Sequence, residues 1–157
     1  MANLAIATNF SSDTKYVSVV APASTVNGHF AALTTISAGV YTAATPAAIT
    51  SAGLVMAFAV CLPYAAGTTE NEYTIATGEG TRYFVPELGM KYSIPVANVT
   101  ATTAVAVGAY VIPTATAHIA NCVASLGGTE SVAWIIEALF TKAGVPMFTM
   151  RCIKAQV

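Results

Sequence analysis

His118 and Cys122 stand four residues apart in HIANC, a spacing that would turn an imidazole and a thiolate to one face of a helix as zinc ligands. Sites of that kind ordinarily bring a second close pair. This chain offers none, so the plain reading is a histidine near an apolar cysteine. The alternative is a site completed by His118 from several copies around a symmetry axis. Ser131 follows Glu130 in GGTES, but a Ser-His-Asp device needs partners. The single Asp, Asp13, lies in no motif, His29 and His118 are isolated, and there is no G-x-S-x-G elbow. GGTES therefore predicts a polar turn. TGEGTR at 77–82 has the glycines and arginine of an anion nest but lacks the strand-to-helix context and the G-K-S/T of a phosphate loop, so it predicts a β-turn. Glu72, Glu79 and Glu87 would serve acid–base chemistry only if two of them stood about 5 to 9 Å apart, which their spacing does not dictate. The expectation is a protein that is not an enzyme and takes neither cofactor nor metal.

The elements that would carry these residues are strands. Val, Ile, Thr, Tyr and Phe recur in short runs parted by Gly, Pro, Asn and Ser. These runs predict strands at 16–20, 54–61, 72–77, 81–85, 104–112, 132–141 and 146–154. Residues 1–14 alternate little and read as an extended arm of one domain spanning 1–157. In the last pair of strands, Trp134, Ile136, Ala138 and Phe140 share one face, and Ile135, Glu137, Leu139 and Thr141 the other. Gly144 suits a hairpin loop. A register pairing 141 with 147 sets Glu137 opposite Arg151 as a cross-strand ion pair. A helix over 131–142 capped by Ser131 is the competing reading, because Ala, Leu and Glu favour helices. In VAVGAYVIP at 105–113, a glycine among β-branched residues marks a bulge or bend in a strand buried on both faces. The fold class expected is mainly β: a compact β-barrel or two-layer β-sandwich with an extended N-terminal arm and a C-terminal β-hairpin.

Composition narrows the partners. Of 157 residues, 55% are hydrophobic and only 8% charged, against about 25% in an average domain. The outside must then be built from Thr, Ser, Ala, Asn and Gly, which suits a chain that sits in an assembly. Six scattered Lys and Arg cannot make the basic footprint that nucleic acid requires. Mean hydropathy is +0.67, yet the longest apolar run, GLVMAFAVCLPYAAG at 53–67, is shorter than the roughly 18 to 20 residues of a membrane span and contains Pro63. MANLAIATNF lacks the basic start and long apolar core of a signal peptide. Cys61, Cys122 and Cys152, wide apart in apolar settings, read as buried free thiols from a reducing compartment.

Charge is also concentrated. ENEYTIATGEGTRYFVPELGMK at 70–91 holds Glu70, Glu72, Glu79, Arg82, Glu87 and Lys91, six of the thirteen charged side chains (six Lys and Arg, seven Asp and Glu). Such a stretch is either a chemical site or the wetted, partner-facing part of a bland surface.

MANLAIATNFSSDTKYVSVV as an arm, VAVGAYVIP as a barrel strand and VAWIIEALFTKAGVPMFTMRCIKA as a closing hairpin together resemble the small head-decoration, or cement, proteins of tailed bacteriophages. The resemblance covers most of the chain in style and rests on no short motif, so no functional residue is carried over. It implies a virion protein, made in the host cytoplasm, that attaches in many copies to the major capsid protein of an assembled shell. Such proteins often act as homotrimers and stabilise the shell. Under it, 70–92 is an interface, to the shell or to a neighbouring copy, in which Tyr73, Tyr83, Phe84 and Tyr92 are anchors among Glu70, Glu72, Glu79, Arg82, Glu87 and Lys91, whose charges set register. The alternative is that the charges solvate two loops and the aromatics lie in the core. The competing function is a surface carbohydrate-binding or adhesive module of a virion. Against it, the single Trp134 falls in a strand expected to be buried.

Overall fold

The computed structural model describes residues 6–8, 16–26, 28–46, 53–57, 74–114 and 120–155. Within them the chain is almost entirely β, as its pattern of short β-branched and aromatic runs anticipates. The strands are β1 (Ile6–Thr8), β2 (Tyr16–Val20), β3 (Phe30–Ser37), β4 (Val40–Ala44), β5 (Leu54–Ala57), β6 (Gly80–Phe84), β7 (Lys91–Pro95), β8 (Val99–Ala101), β9 (Tyr110–Pro113), β10 (Ala120–Val123), β11 (Ala133–Lys142) and β12 (Val145–Lys154). One 3-10 turn, Val96–Asn98, links β7 to β8.

Five strands close a barrel in the order β2-β4-β3-β5-β6, with β2 and β4 parallel and the other pairs antiparallel. Val19, Ala31, Ala43, Val55 and Tyr83 fill its lumen. A barrel this narrow admits few large side chains. Alanine at 31 and 43 leaves the room that the Tyr83 ring takes.

Because side chains alternate along a strand, the neighbours of these lumen residues point outward. Phe30, Met56 and Phe84, paired across β3, β5 and β6, form an apolar row on the barrel's outer wall. That row packs on a seven-stranded sheet ordered β1-β7-β12-β11-β9-β10-β8. The sheet's inner face brings Tyr92, Ile94, Val111, Cys122, Trp134, Ile136, Phe148, Met150 and Cys152 into the same core. At Gly28 (φ +90°) the chain passes so close to the sheet that an added Cβ would lie 2.6 Å from Ile94 Cδ1. Only glycine combines that backbone conformation with that approach.

The C-terminal hairpin forms, and the helix over 131–142 does not. The register differs by one residue from the expected pairing of 141 with 147. Thr141 pairs with Pro146 and Lys142 with Val145, around the two-residue turn Ala143-Gly144 (φ 50° and 78°). A bulge restores the expected contact. Ile136 pairs with Met150 and Ala138 with Thr149, so Glu137 is the extra residue, and it still reaches Arg151. The bulge also flips the faces beyond it. Leu139, opposite Phe148, joins the side of Trp134 and Ile136, whereas Ala138 and Phe140 leave it.

Three further expectations change in detail. The strand expected at 104–112 begins only at Tyr110, and Gly108 (φ +88°) lies in a preceding turn closed by Ala109 N–H donating to the Ala106 carbonyl. That turn still lines the sheet, since Gly108 N–H donates to Ile136 at 2.9 Å and Ile136 N–H to Ala109 at 2.8 Å. In the run expected at 72–77, Ile75 makes a single bridge to Thr25, and residues 72–73 lie outside the described part. Of the N-terminal arm, residues 6–8 pair antiparallel with β7, and the remainder lies outside the described residues.

Candidate functional site

The charged stretch divides among three environments. Glu79 closes the turn before β6: its backbone N–H donates to the Ala76 carbonyl at 3.1 Å, and its carboxylate accepts from Ala76 N–H at 3.0 Å. TGEGTR is therefore the β-turn its composition suggested, with Gly78 at φ +83°. Arg82 points outward from the middle of β6 and is exposed, because its neighbour Tyr83 points into the lumen. Glu87 and the exposed Leu88 follow β6 in a turn closed by Met90 N–H to the Glu87 carbonyl. The five residues of β6 span about 17 Å, so Glu79 and Glu87 flank opposite ends of the strand and make no carboxylate pair.

Lys91 lies on the outer face of the sheet. Its Nζ is 2.7 Å from one oxygen of Glu137, and Arg151 Nε is 2.5 Å from the other. The two donors, Lys91 first, hold the Glu137 carboxyl below the usual range. Lys91 is thus part of a three-residue network that ties β7, β11 and β12 together.

Tyr83 and Tyr92 correct the expected interface set. They are 1% and 0% exposed, Tyr83 in the lumen and Tyr92 in the seam between barrel and sheet, and Phe84, also 0% exposed, lies in that seam, so none of the three expected anchors reaches a partner's surface. Burial pushes both phenols above their ordinary value. Tyr92 Oη instead donates to Met90 Sδ at 2.8 Å. Glu70, Glu72 and Tyr73 lie outside the described residues, as does His118. Of the described candidate residues Arg82 is exposed, Glu79 and Glu87 are half-buried at opposite ends of β6, and the exposed Leu88 follows Glu87.

The other candidate chemistry resolves into structure. Glu130, 2% exposed, accepts from Gly127 N–H at 2.6 Å and Gly128 N–H at 2.9 Å, while Lys154 Nζ donates to the Gly128 carbonyl at 3.0 Å. GGTES is the polar turn expected of it. Cys122 sits in strand β10 with a buried thiol whose pKa is pushed up by burial. Trp134 is fully buried and presents no stacking platform to a sugar. Among the described residues no three His, Cys, Asp or Glu side chains group closely enough to hold a metal ion. No helix among them is long and apolar enough to cross a membrane.

Sequence reasoning missed the exposed apolar side chains Ile36, Val40, Val107 and Leu139. It also missed a groove of about 570 Å³ between the β11–β12 hairpin and the 3-10 turn. A signal for the first two was present: no Asp, Glu, Lys or Arg occurs between Lys15 and Glu70. Comparison with protein-family models, with curated proteins and with solved structures finds no match.

Proposed function

We propose that this chain is a non-enzymatic structural protein of a virion, a decoration protein that binds the surface of an assembled phage capsid and stabilises it. The observation that carries the reading is the pairing of a tightly packed all-β body with an outside that is apolar or polar but hardly charged. Ile36, Leu88, Val107 and Leu139 stand exposed on it. A protein free in solution gains solubility from charge, whereas one held in an assembly gains contact area from such side chains. On this account the shell contact lies around Arg82, Glu87 and Leu88, where an exposed apolar side chain sits beside charges that set orientation. The major capsid protein is the partner, and several copies act together. Co-sedimentation with undecorated capsids tests this directly.

A further inference from the structure

One register row crosses the outer face of the seven-stranded sheet. Val123 pairs with Tyr110, Tyr110 with Ile135, Ile135 with Arg151 and Arg151 with Lys91, so β10, β9, β11, β12 and β7 each contribute one side chain. Their chain neighbours Cys122, Val111, Trp134, Cys152 and Tyr92 fill the core, and alternation turns the row itself away from the barrel. All five side chains of the row are half-buried. Val123, Tyr110 and Ile135 are apolar or aromatic, and Arg151 and Lys91 are cationic. The sheet therefore presents an apolar half and a charged half side by side, over about 19 Å at the usual strand spacing.

Charge in the second half is only partly cancelled. Glu137, the bulged residue of β11, holds Lys91 Nζ at 2.7 Å on one carboxylate oxygen and Arg151 Nε at 2.5 Å on the other. Two cations against one anion leave one positive charge. Arg151 meets Glu137 through Nε alone, and among the described residues its two terminal nitrogens have no hydrogen-bond partner. The Nε bond fixes the plane of the guanidinium, so the terminal fork is ordered before any ligand arrives. The Arg151 side chain is 40% exposed and can be reached from solvent.

We propose that this face docks a segment of a partner protein that bears a side-chain carboxylate two residues from an apolar side chain. The carboxylate meets the terminal fork of Arg151 with Lys91 Nζ beside it, and the apolar side chain lies against Tyr110 and Ile135. Charge complementarity selects the occupant. One unspent positive charge matches one carboxylate, whereas a phosphate monoester carries nearly two negative charges and a nucleic-acid backbone needs a run of cations that the row lacks. The apolar half selects a protein segment over a free small anion. In an extended segment, residues two apart share a face about 7 Å from one another, which spans from one half of the row to the other. Tyr and Arg are also the side chains that most often anchor protein contacts. Glu137 then has two effects: it positions the cations, and it competes with the incoming anion for them. A carboxylate-receiving face goes beyond the decoration reading and does not rest on it, because its recognition chemistry is complete without a shell.

The test is a titration of the isotope-labelled full chain at low salt, followed by nuclear magnetic resonance with Arg151 Nε–H as the reporter. One peptide carries Leu-Thr-Glu, its twin carries Leu-Thr-Gln, and inorganic phosphate is a third arm. The expected dissociation constant for the first is on the order of 1 mM, with the twin at least about tenfold weaker, the size of a lost charged hydrogen bond. Arg151→Lys keeps the charge but not the fork and should weaken binding at least about threefold. Glu137→Gln removes the competitor and should tighten it roughly twofold to fivefold, the size of an exposed ion pair. A merely structural network would weaken in both variants, and circular dichroism confirms that each is folded. No binding of the Leu-Thr-Glu peptide at about 10 mM, equal binding of its twin, or phosphate binding as tightly as the peptide would overturn the proposal. So would a folded Glu137→Gln chain that binds more weakly or an Arg151→Lys chain that binds unchanged. Because no capsid is present, failure here and failure to bind shells are separate results.

Discussion

Phe84 and Tyr92 stack face to face, with ring centroids 4.4 Å apart and planes within 10°, and by that contact the barrel is joined to the sheet. Trp134 meets Tyr92 in a T-shaped contact at 4.9 Å. Rings from β6, β7 and β11 therefore form one seam, and the single tryptophan reports on it.

Tyr92→Ala should cost about 3 to 5 kcal/mol, as loss of a fully buried aromatic does. Since the seam serves both layers, urea unfolding of the wild-type protein should give coincident transitions by Trp134 fluorescence and by far-UV circular dichroism. Separate transitions would mean that barrel and sheet are independent units.

Acid should weaken the fold through Glu130 and Glu137. Backbone N–H groups, its own first and then those of Gly127 and Gly128, hold the Glu130 carboxyl below its ordinary value of 4.5, and Lys91 and Arg151 do the same for Glu137. A carboxyl whose folded pKa lies below its unfolded one adds stability above the unfolded value and loses it as pH falls through the folded value. The urea midpoint should accordingly fall below about pH 4.5 and flatten on that side in Glu130→Gln. The same substitution should cost about 1 to 3 kcal/mol at neutral pH, because a neutral amide replaces the anion that the two glycine N–H groups meet. An unchanged acid limb in the variant would contradict the role given to Glu130.

Ala143 holds φ at 50° in the first position of the last hairpin turn, where a residue other than Gly, Asn or Asp is strained. Ala143→Asn creates the Asn-Gly pair such turns favour and should stabilise the protein by about 0.5 to 1 kcal/mol, read as a higher melting temperature. A neutral or lower value would show that the turn is not strained at that position.

The same turns explain what the sequence hides. β2, β6, β11 and β12 are legible because large β-branched and aromatic side chains alternate along them. β3 and β4 are not, since their lumen positions at 31 and 43 must be alanine to admit Tyr83. Their turn, Ala38-Gly39, also lacks the Asn-Gly that announces a hairpin. The bulge at Glu137 leaves no trace in IIEALF, where both faces are apolar enough for either register. Tyr83 and Tyr92 sit among charges in the sequence, but a charged neighbour along a strand faces the opposite way. Proximity in sequence placed them at a rim that the pleat turns them from.

The central claim is attachment to a shell, and co-sedimentation tests it most directly. Purified protein is mixed with undecorated phage capsids, in parallel with free capsid subunits and with a glycan mixture. The account predicts stoichiometric pelleting with assembled capsids, little binding to free subunits, and affinity lowered about tenfold or more by Arg82→Glu. Absence of pelleting with a matched shell, or equal binding of glycans, would contradict it.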